Sequence, residues 1–136
     1  MARLEQHKQV VVGFIEAMSA GDSERAAQFI TQATFTLAKG FGKFAGVRTY
    51  ETILGTIGAF RALMPEGMGV NILSVTAEGD RVAVEFEGDG RLINGSHYHN
   101  QYCMIFTLAD GRIHHVHEYF CTIHADEVLW PLVEGA

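Results

Sequence analysis

Proline and cysteine are nearly missing from this chain of 136 residues, with two of each, and tryptophan occurs once. Cys103 and Cys121 are too few for a disulfide framework, so stability has to come from a packed core, and reduced thiols fit an intracellular setting. Two prolines against fifteen glycines point to tight turns and away from disordered linkers. Clusters of Lys and Arg are also lacking. The net charge of -6 is spread along the chain with no block of one sign, which argues against nucleic acid and against an anionic membrane surface as partners. Long apolar runs do not occur. The N-terminal apolar stretch is broken by Glu5, Gln6, His7, Lys8, Gln9 and Glu16, so it lacks the h-region of a signal peptide. Nothing approaches the ~20 apolar residues of a spanning helix. The expectation is a cytoplasmic protein with a single domain over residues 1–136.

What is present is enough apolar sequence, 48% of residues, to fill one core. Its periodicity changes along the chain. Leu4, Val11, Phe14, Ile15 and Met18 recur at helical spacing, and Gly21 stands where a helix C′ residue belongs. Asp22 or Ser23 then caps a short second helix with Ala26, Phe29 and Ile30. Thr34–Leu37 reads as a short strand. Residues 39–46 form a glycine-rich loop without phosphate-loop spacing, read as the mouth of a pocket with Lys39 beside it. A third helix carries Ile53, Leu54, Ile57, Phe60 and Leu63 and stops before Pro65. From Gly69 the period becomes two: strands at 70–78, 81–88, 97–108 and 112–122, then a short helix over 124–132. Helices first and an antiparallel meander afterwards is an α+β order, not the alternation of a Rossmann fold.

The C-terminal third resembles a known family. Tyr98, Asn100 and Tyr102, then Phe106, the turn Asp110-Gly111-Arg112-Ile113 and the run Glu118-Tyr119-Phe120 are similar to the second half of SnoaL-like proteins of the nuclear-transport-factor-2-like superfamily. Gly46 before the third helix and the element order agree. The resemblance implies a cone (a cystatin-like α+β barrel): N-terminal helices packed on a curved antiparallel sheet around one pocket. Relatives include polyketide cyclases, ketosteroid isomerase, limonene epoxide hydrolase, scytalone dehydratase and PhzA/B-like proteins. They work without metal or organic cofactor, and many have no known activity. The resemblance also implies a homodimer through the convex sheet face.

Which side chains face the pocket depends on the register of the last hairpin. A two-residue turn at Asp110-Gly111 pairs Tyr102 with Tyr119, whereas a three-residue loop with Gly111 as a bulge pairs Tyr102 with Glu118. The bulged form is favoured, because glycine suits the third loop position and because relatives turn this acidic residue inward. It places Tyr98, Asn100, Tyr102, Met104, Phe106, His114, Val116, Glu118 and Phe120 on the concave side. It places His99, Gln101, Cys103, Ile105, His115, His117, Tyr119 and Cys121 on the convex side, joined by Val82, Val84 and Phe86 if Glu85 and Glu87 face inward.

Glu118 is the leading chemical candidate. A carboxylate between aromatic side chains loses hydration, its pKa rises, and it can exchange protons near neutral pH. The resemblance sets it at the acidic catalytic position of epoxide hydrolase-like and PhzA/B-like relatives. Tyr102 and Asn100 would orient a carbonyl or phenol, although ordinary strand packing with one amide satisfying Glu118 explains them equally. Tyr98, Phe120, Met104, Val116, His114, Phe35, Leu37 and Phe60 are further pocket candidates. Glu85 and Glu87 could supply a second carboxylate, though a solvated strand face is the plainer reading.

Seven histidines raise the question of metal. In the favoured register His117 lies opposite Cys103 and His99 opposite Cys121, with the two pairs roughly 13 Å apart along the strand at ~3.3 Å per residue. One zinc ion cannot join ligands that must each lie ~2–2.3 Å from it. A Cys103–His117 nucleophile pair would sit on the wrong face. No metal and no cofactor are expected. Departures from the relatives matter too. Glu85, Glu87 and Leu37 fall near the positions where the epoxide hydrolase has Arg, Asp and Asn, and the ketosteroid isomerase trio is not visible. The expectation is a cofactor-independent acid/base enzyme of isomerase, cyclase or dehydratase type, acting on a small apolar cyclic or aromatic ligand. The alternative is a non-catalytic, dimeric small-molecule-binding module.

Overall fold

Gly21 sets the first boundary. In the computed structural model, which describes residues 3–134, helix α1 (Arg3–Ser19) is stopped by Gly21 at φ +72°. The Gly21 N–H donates to Met18 C=O and the Asp22 N–H to Ala17 C=O, the paired closure that glycine permits at a helix end. Asp22 then caps α2 (Ser23–Ala27), its Oδ1 accepting from the Arg25 N–H at 3.0 Å. Val11, Phe14 and Ile15 of α1 are buried as their spacing predicts, but Leu4 is exposed.

Next come β1 (Ile30–Ala38), β2 (Gly46–Thr49) and α3 (Tyr50–Leu63). The first strand is longer than its Thr34–Leu37 signal. Part of the expected loop and helix start is instead β2, which pairs antiparallel with β1 from Gly46 to Thr49. Strands β3 (Gly69–Glu78), β4 (Arg81–Arg91), β5 (His97–Ala109) and β6 (Arg112–Phe120) form the meander. The chain ends in α4 (Thr122–His124), a π-helical turn at Ala125–Leu129 and α5 (Trp130–Glu134). The open, curved six-stranded sheet has the order β2-β1-β6-β5-β4-β3. Only the β1–β6 pair among these neighbours is parallel.

The helices cover the concave face. Phe14 of α1 meets Phe106 of β5 edge to face at 6.2 Å. Val82, Val84 and Phe86 of β4 are buried there as well, with Val84 opposite Met104 and Phe86 opposite Tyr102. This corrects the inward placement of Glu85 and Glu87: period-two alternation cannot bury both sets, and burying three apolar side chains is far cheaper than burying two carboxylates. The convex face therefore loses Val84 and Phe86. Its apolar members include exposed Leu73 and Tyr119 with half-buried Ile105.

The last hairpin adopts neither expected register. Asp110 (φ +53°) and Gly111 (φ +79°) make a two-residue turn with both central residues left-handed, and Ala109 pairs with Arg112. One residue later the ladder slips. Leu108 pairs with Ile113 and Thr107 with His115, so His114 is left over as a bulge. Beyond it Met104 stands opposite Glu118 and Tyr102 opposite Phe120. The bulge restores the parity that a plain two-residue turn would have reversed, so Glu118 shares the concave face with Met104 and Tyr102. His117 lies opposite Ile105 instead of Cys103, and Cys121 falls past the end of β6, so the expected His–Cys pairings do not form.

Candidate active site

Between the concave face, α3 and the C-terminal helical segment lies a cavity of about 110 Å³ with mostly apolar walls. Strand β5 contributes Tyr98, Tyr102 and Met104, and β6 contributes Val116, Glu118 and Phe120. Phe60, Ile53 and Ile57 come from α3, and Ala125 and Leu129 of the π-helical turn close the far side. Seven sequence-predicted residues thus meet here: Tyr98, Tyr102, Met104, Val116, Glu118, Phe120 and Phe60.

Others do not. His114 is exposed at the bulge. Glu85 is exposed on the convex side, accepting from Ser74 Oγ at 2.7 Å, and Glu87 faces His99 Nε2 there at 3.7 Å. Phe35 and Leu37 also point outward. The parallel pairing sets Thr36 beside Val116, so Thr34, Thr36 and Ala38 turn inward while Phe35 stacks on His115 at 5.2 Å. Apolar residues on β1 suggested the inner face, but this sheet also clothes its outer face with aromatic and histidine side chains. Lys39 is half-buried and is not part of the wall.

Asn100 is buried behind the wall instead of in it. Its Oδ1 accepts from the Cys121 N–H at 3.1 Å and the Gln101 N–H at 2.7 Å, while Nδ2 donates to Cys121 C=O at 3.0 Å. Those backbone bonds fix which end of the amide is nitrogen. Nδ2 also donates to Tyr98 Oη at 2.9 Å, and Tyr98 Oη lies 2.6 Å from Tyr102 Oη. The result is a chain of polar groups running from the Cys121 backbone to the cavity. Burial raises the pKa of both phenols, Tyr102 well above the ordinary value, so both remain proton donors.

Glu118 has a different setting. The Lys39 N–H holds its backbone carbonyl at 2.9 Å. The side chain is half-buried, but the surface left open faces the cavity, not bulk water. Desolvation pushes its pKa above the usual carboxylate range, and the charge of Arg48 and the nearby Thr36 hydroxyl oppose this only in part. Among the described residues no ion pair engages the Glu118 carboxylate. The Thr36 Oγ1 is buried beside that carboxyl and makes no hydrogen bond of good geometry among the described residues.

Sequence reasoning missed Thr36 and Arg48, both in the wall. A lone arginine in the segment Gly46-Val47-Arg48-Thr49, between a glycine-rich loop and an apolar helix, was the available signal. Arg48 Nη2 donates to Phe44 C=O at 2.8 Å, which ties it to the loop. That loop is clasped to the C-terminal helices: Lys43 N–H donates to Asp126 Oδ1 at 3.0 Å, and Lys43 Nζ lies 5.7 Å from the Trp130 ring centre. Gly42 makes the clasp possible, since a Cβ there would come within 2.7 Å of Thr122. Among the described residues no three His, Cys, Asp or Glu side chains gather where they could share a metal ion. No described helix is long and apolar enough to cross a membrane.

Helices laid on an open, curved sheet around one apolar pocket with a dry carboxyl group define the nuclear-transport-factor-2-like class of fold. The family model of the SnoaL-like domain matches residues 11–116, and the chain belongs to that family. Solved structures agree. A Bacillus subtilis protein provisionally assigned as an isomerase is 18% identical, with a TM-score of 0.81 over 96% of each chain. A provisionally assigned SnoaL-like polyketide cyclase from Jannaschia sp. CCS1 is 15% identical, with a TM-score of 0.75 over 93% of this chain and 94% of its own. PrhC from Penicillium brasilianum is 13% identical, with a TM-score of 0.85 over 98% of this chain and 92% of its own. At these identities the likeness concerns the fold. No curated protein sequence matches.

Proposed function

We propose that the chain is a cofactor-independent acid/base enzyme of isomerase, cyclase or dehydratase type, acting on a small, largely apolar cyclic or aromatic substrate held in the cavity. The observation that carries this reading is Glu118: a desolvated carboxyl with no ion-pair partner among the described residues, facing an apolar cavity beside a hydrogen-bonded pair of phenols. Glu118 removes a proton next to a carbonyl or hydroxyl carbon and returns it elsewhere on the substrate. Tyr102 donates a hydrogen bond to the substrate oxygen as it gains negative charge, with Tyr98 and Asn100 behind it. The names of the isomerase and cyclase neighbours are in keeping with proton-transfer chemistry. Two protomers pair through the convex face, where Leu73 and Tyr119 are exposed.

The test is Glu118→Gln on a substrate found among small cyclic ketones and hydroxy-aromatics. Turnover falls about a hundredfold or more, the usual worth of a positioned general acid or base, while ligand affinity and folding persist. Wild-type turnover in that variant makes Glu118 structural and leaves a binding module as the better description.

A further inference from the structure

Two polar side chains on one side of the cavity, buried Thr36 and half-buried Arg48, keep donors that no protein group fully takes up among the described residues. Thr36 Oγ1 is buried beside the Glu118 carboxyl, near enough to lower its pKa but without a well-formed hydrogen bond among the described residues. Arg48 reaches the wall with one guanidinium nitrogen given to Phe44 C=O, and its charge acts on Glu118 without forming an ion pair with it. A buried hydroxyl left unsatisfied costs roughly 1–3 kcal/mol, so Thr36 is retained most readily where a ligand completes it, with the Arg48 guanidinium beside it. Most of the remaining wall is apolar, although Ser19, Thr56 and Arg61 also line it, and Tyr98 is taken up by Asn100 and Tyr102, which leaves the Tyr102 O–H for the ligand.

We propose that Arg48 and Thr36 form a subsite for one anionic oxygen group of the ligand, a carboxylate or an enolate, held next to Glu118. The substrate class is then a small apolar ring compound with a single negative charge. This rests on the acid/base reading for its relevance to catalysis but not for its binding chemistry. Arg48 supplies charge-assisted donors, and the Thr36 hydroxyl donates a further hydrogen bond. Ionised Glu118 repels a bound anion, so the anion is held best while the Glu118 carboxyl is protonated, whether it took that proton from solvent or has just taken it from the substrate. The polar and charged groups facing it are Arg48 from β2, Thr36 from β1, and Tyr98 and Tyr102 from β5. Arg61 of α3 and Ser19 of α1 stand in the wall too, but Arg61 is bonded to Ala20 C=O and Ser19 to Ile15 C=O. The C-terminal helical segment contributes apolar Ala125 and Leu129.

Titration calorimetry of the full chain with benzoate and its neutral counterpart benzamide tests this, with 1,3-cyclohexanedione against cyclohexanone as the enolate arm. At least one anionic member binds at least about tenfold tighter than its neutral partner. Preference for benzoate alone identifies the carboxylate, and preference for the dione alone identifies the enolate. Benzoate, if preferred, weakens as pH rises from 5 to 9, and Glu118→Gln flattens that dependence. Arg48→Met removes the preference while neutral-ligand affinity stays within about twofold, and Thr36→Val removes part of it. If Arg48→Met unfolds, judged by circular dichroism, the Thr36→Val and Glu118→Gln arms decide. Equal affinities within both pairs, a preference that survives Arg48→Met, a preference unchanged in Thr36→Val with Arg48→Met unfolded, or no binding at millimolar ligand overturns the proposal. Loss of turnover in Glu118→Gln bears on the acid/base reading alone.

Discussion

Asn100 Nδ2 and Tyr98 Oη are 2.9 Å apart, and every other strong bond of that amide goes to backbone. The side chain thus behaves as an extra rung between β5 and the segment after β6. Its remaining donor orients a phenol whose own hydroxyl meets Tyr102 at 2.6 Å. Asn100→Asp exchanges two donors for acceptors at a buried site. The expected cost is about 2–3 kcal/mol in urea unfolding, with Tyr98→Phe costing about 1 kcal/mol.

The same chain makes a kinetic prediction. If Tyr102 works as the terminal donor of a relay, Tyr98→Phe weakens it through the shared bond. In a double-mutant cycle on turnover, Tyr98→Phe and Tyr102→Phe together cost less than the sum of the single changes. Additive effects would show the two phenols acting separately.

Glu118→Gln carries a stability prediction with a definite sign. The folded protein holds this carboxyl at a raised pKa, so the contribution of the protonated form is complete below the ordinary glutamate range and is lost as pH rises through the folded value. Relative to Glu118→Gln, the wild type therefore loses stability between acid and neutral pH. The loss is about 1.4 kcal/mol for every tenfold by which folding weakens the acidity of this carboxyl. Melting temperatures of both proteins from pH 4 to 8 measure it. A wild type that holds level with the variant, or gains on it, as pH rises contradicts the desolvated carboxyl.

Thr36→Val tests this poorly bonded hydroxyl in the free protein. Valine matches threonine in volume, suits a strand and removes a polar atom that makes no hydrogen bond of good geometry among the described residues. The variant is expected to match the wild type or exceed it by up to about 1 kcal/mol in urea unfolding. A loss greater than about 1 kcal/mol would mean that the hydroxyl already has a structural partner.

Pairing through the convex face predicts a dimer in light scattering at micromolar concentration. Leu73→Lys should shift it toward monomer, since a charge would then be buried at the contact. Monomeric wild type refutes the pairing.

Much of this molecule is legible in its sequence because short-range rules decide it. Gly21, Asp22 and Pro65 punctuate the helices where capping chemistry requires, and the change from helical to two-residue period at Gly69 coincides with the first residue of β3. Most of the inward set on β5 and β6 was also readable, His114 excepted, although by way of a register that does not form. The failures are long-range. Whether Phe35 or Thr36 faces inward depends on a parallel partner 80 residues away, Thr36 beside Val116, which local alternation cannot reveal. For Glu85 and Glu87 the pocket placement fails and the solvated strand face holds, because alternation on β4 buries Val82, Val84 and Phe86. Arg48 was passed over because β2, only four residues long, hides inside a glycine-rich loop.

The bulge at His114 gives the hairpin tip an arithmetic of its own. Deleting His114 would close the bulge into an unbroken ladder: Thr107 would still meet His115, and Glu118 would stay opposite Met104 on the cavity side. One residue added between His115 and His117, with no second bulge to absorb it, would set His117 opposite Met104 and turn Glu118 outward, leaving the composition almost untouched and inverting the chemistry. The hairpin tip is therefore where this strand can lose a residue, and the run from His115 to Glu118 is where it cannot gain one.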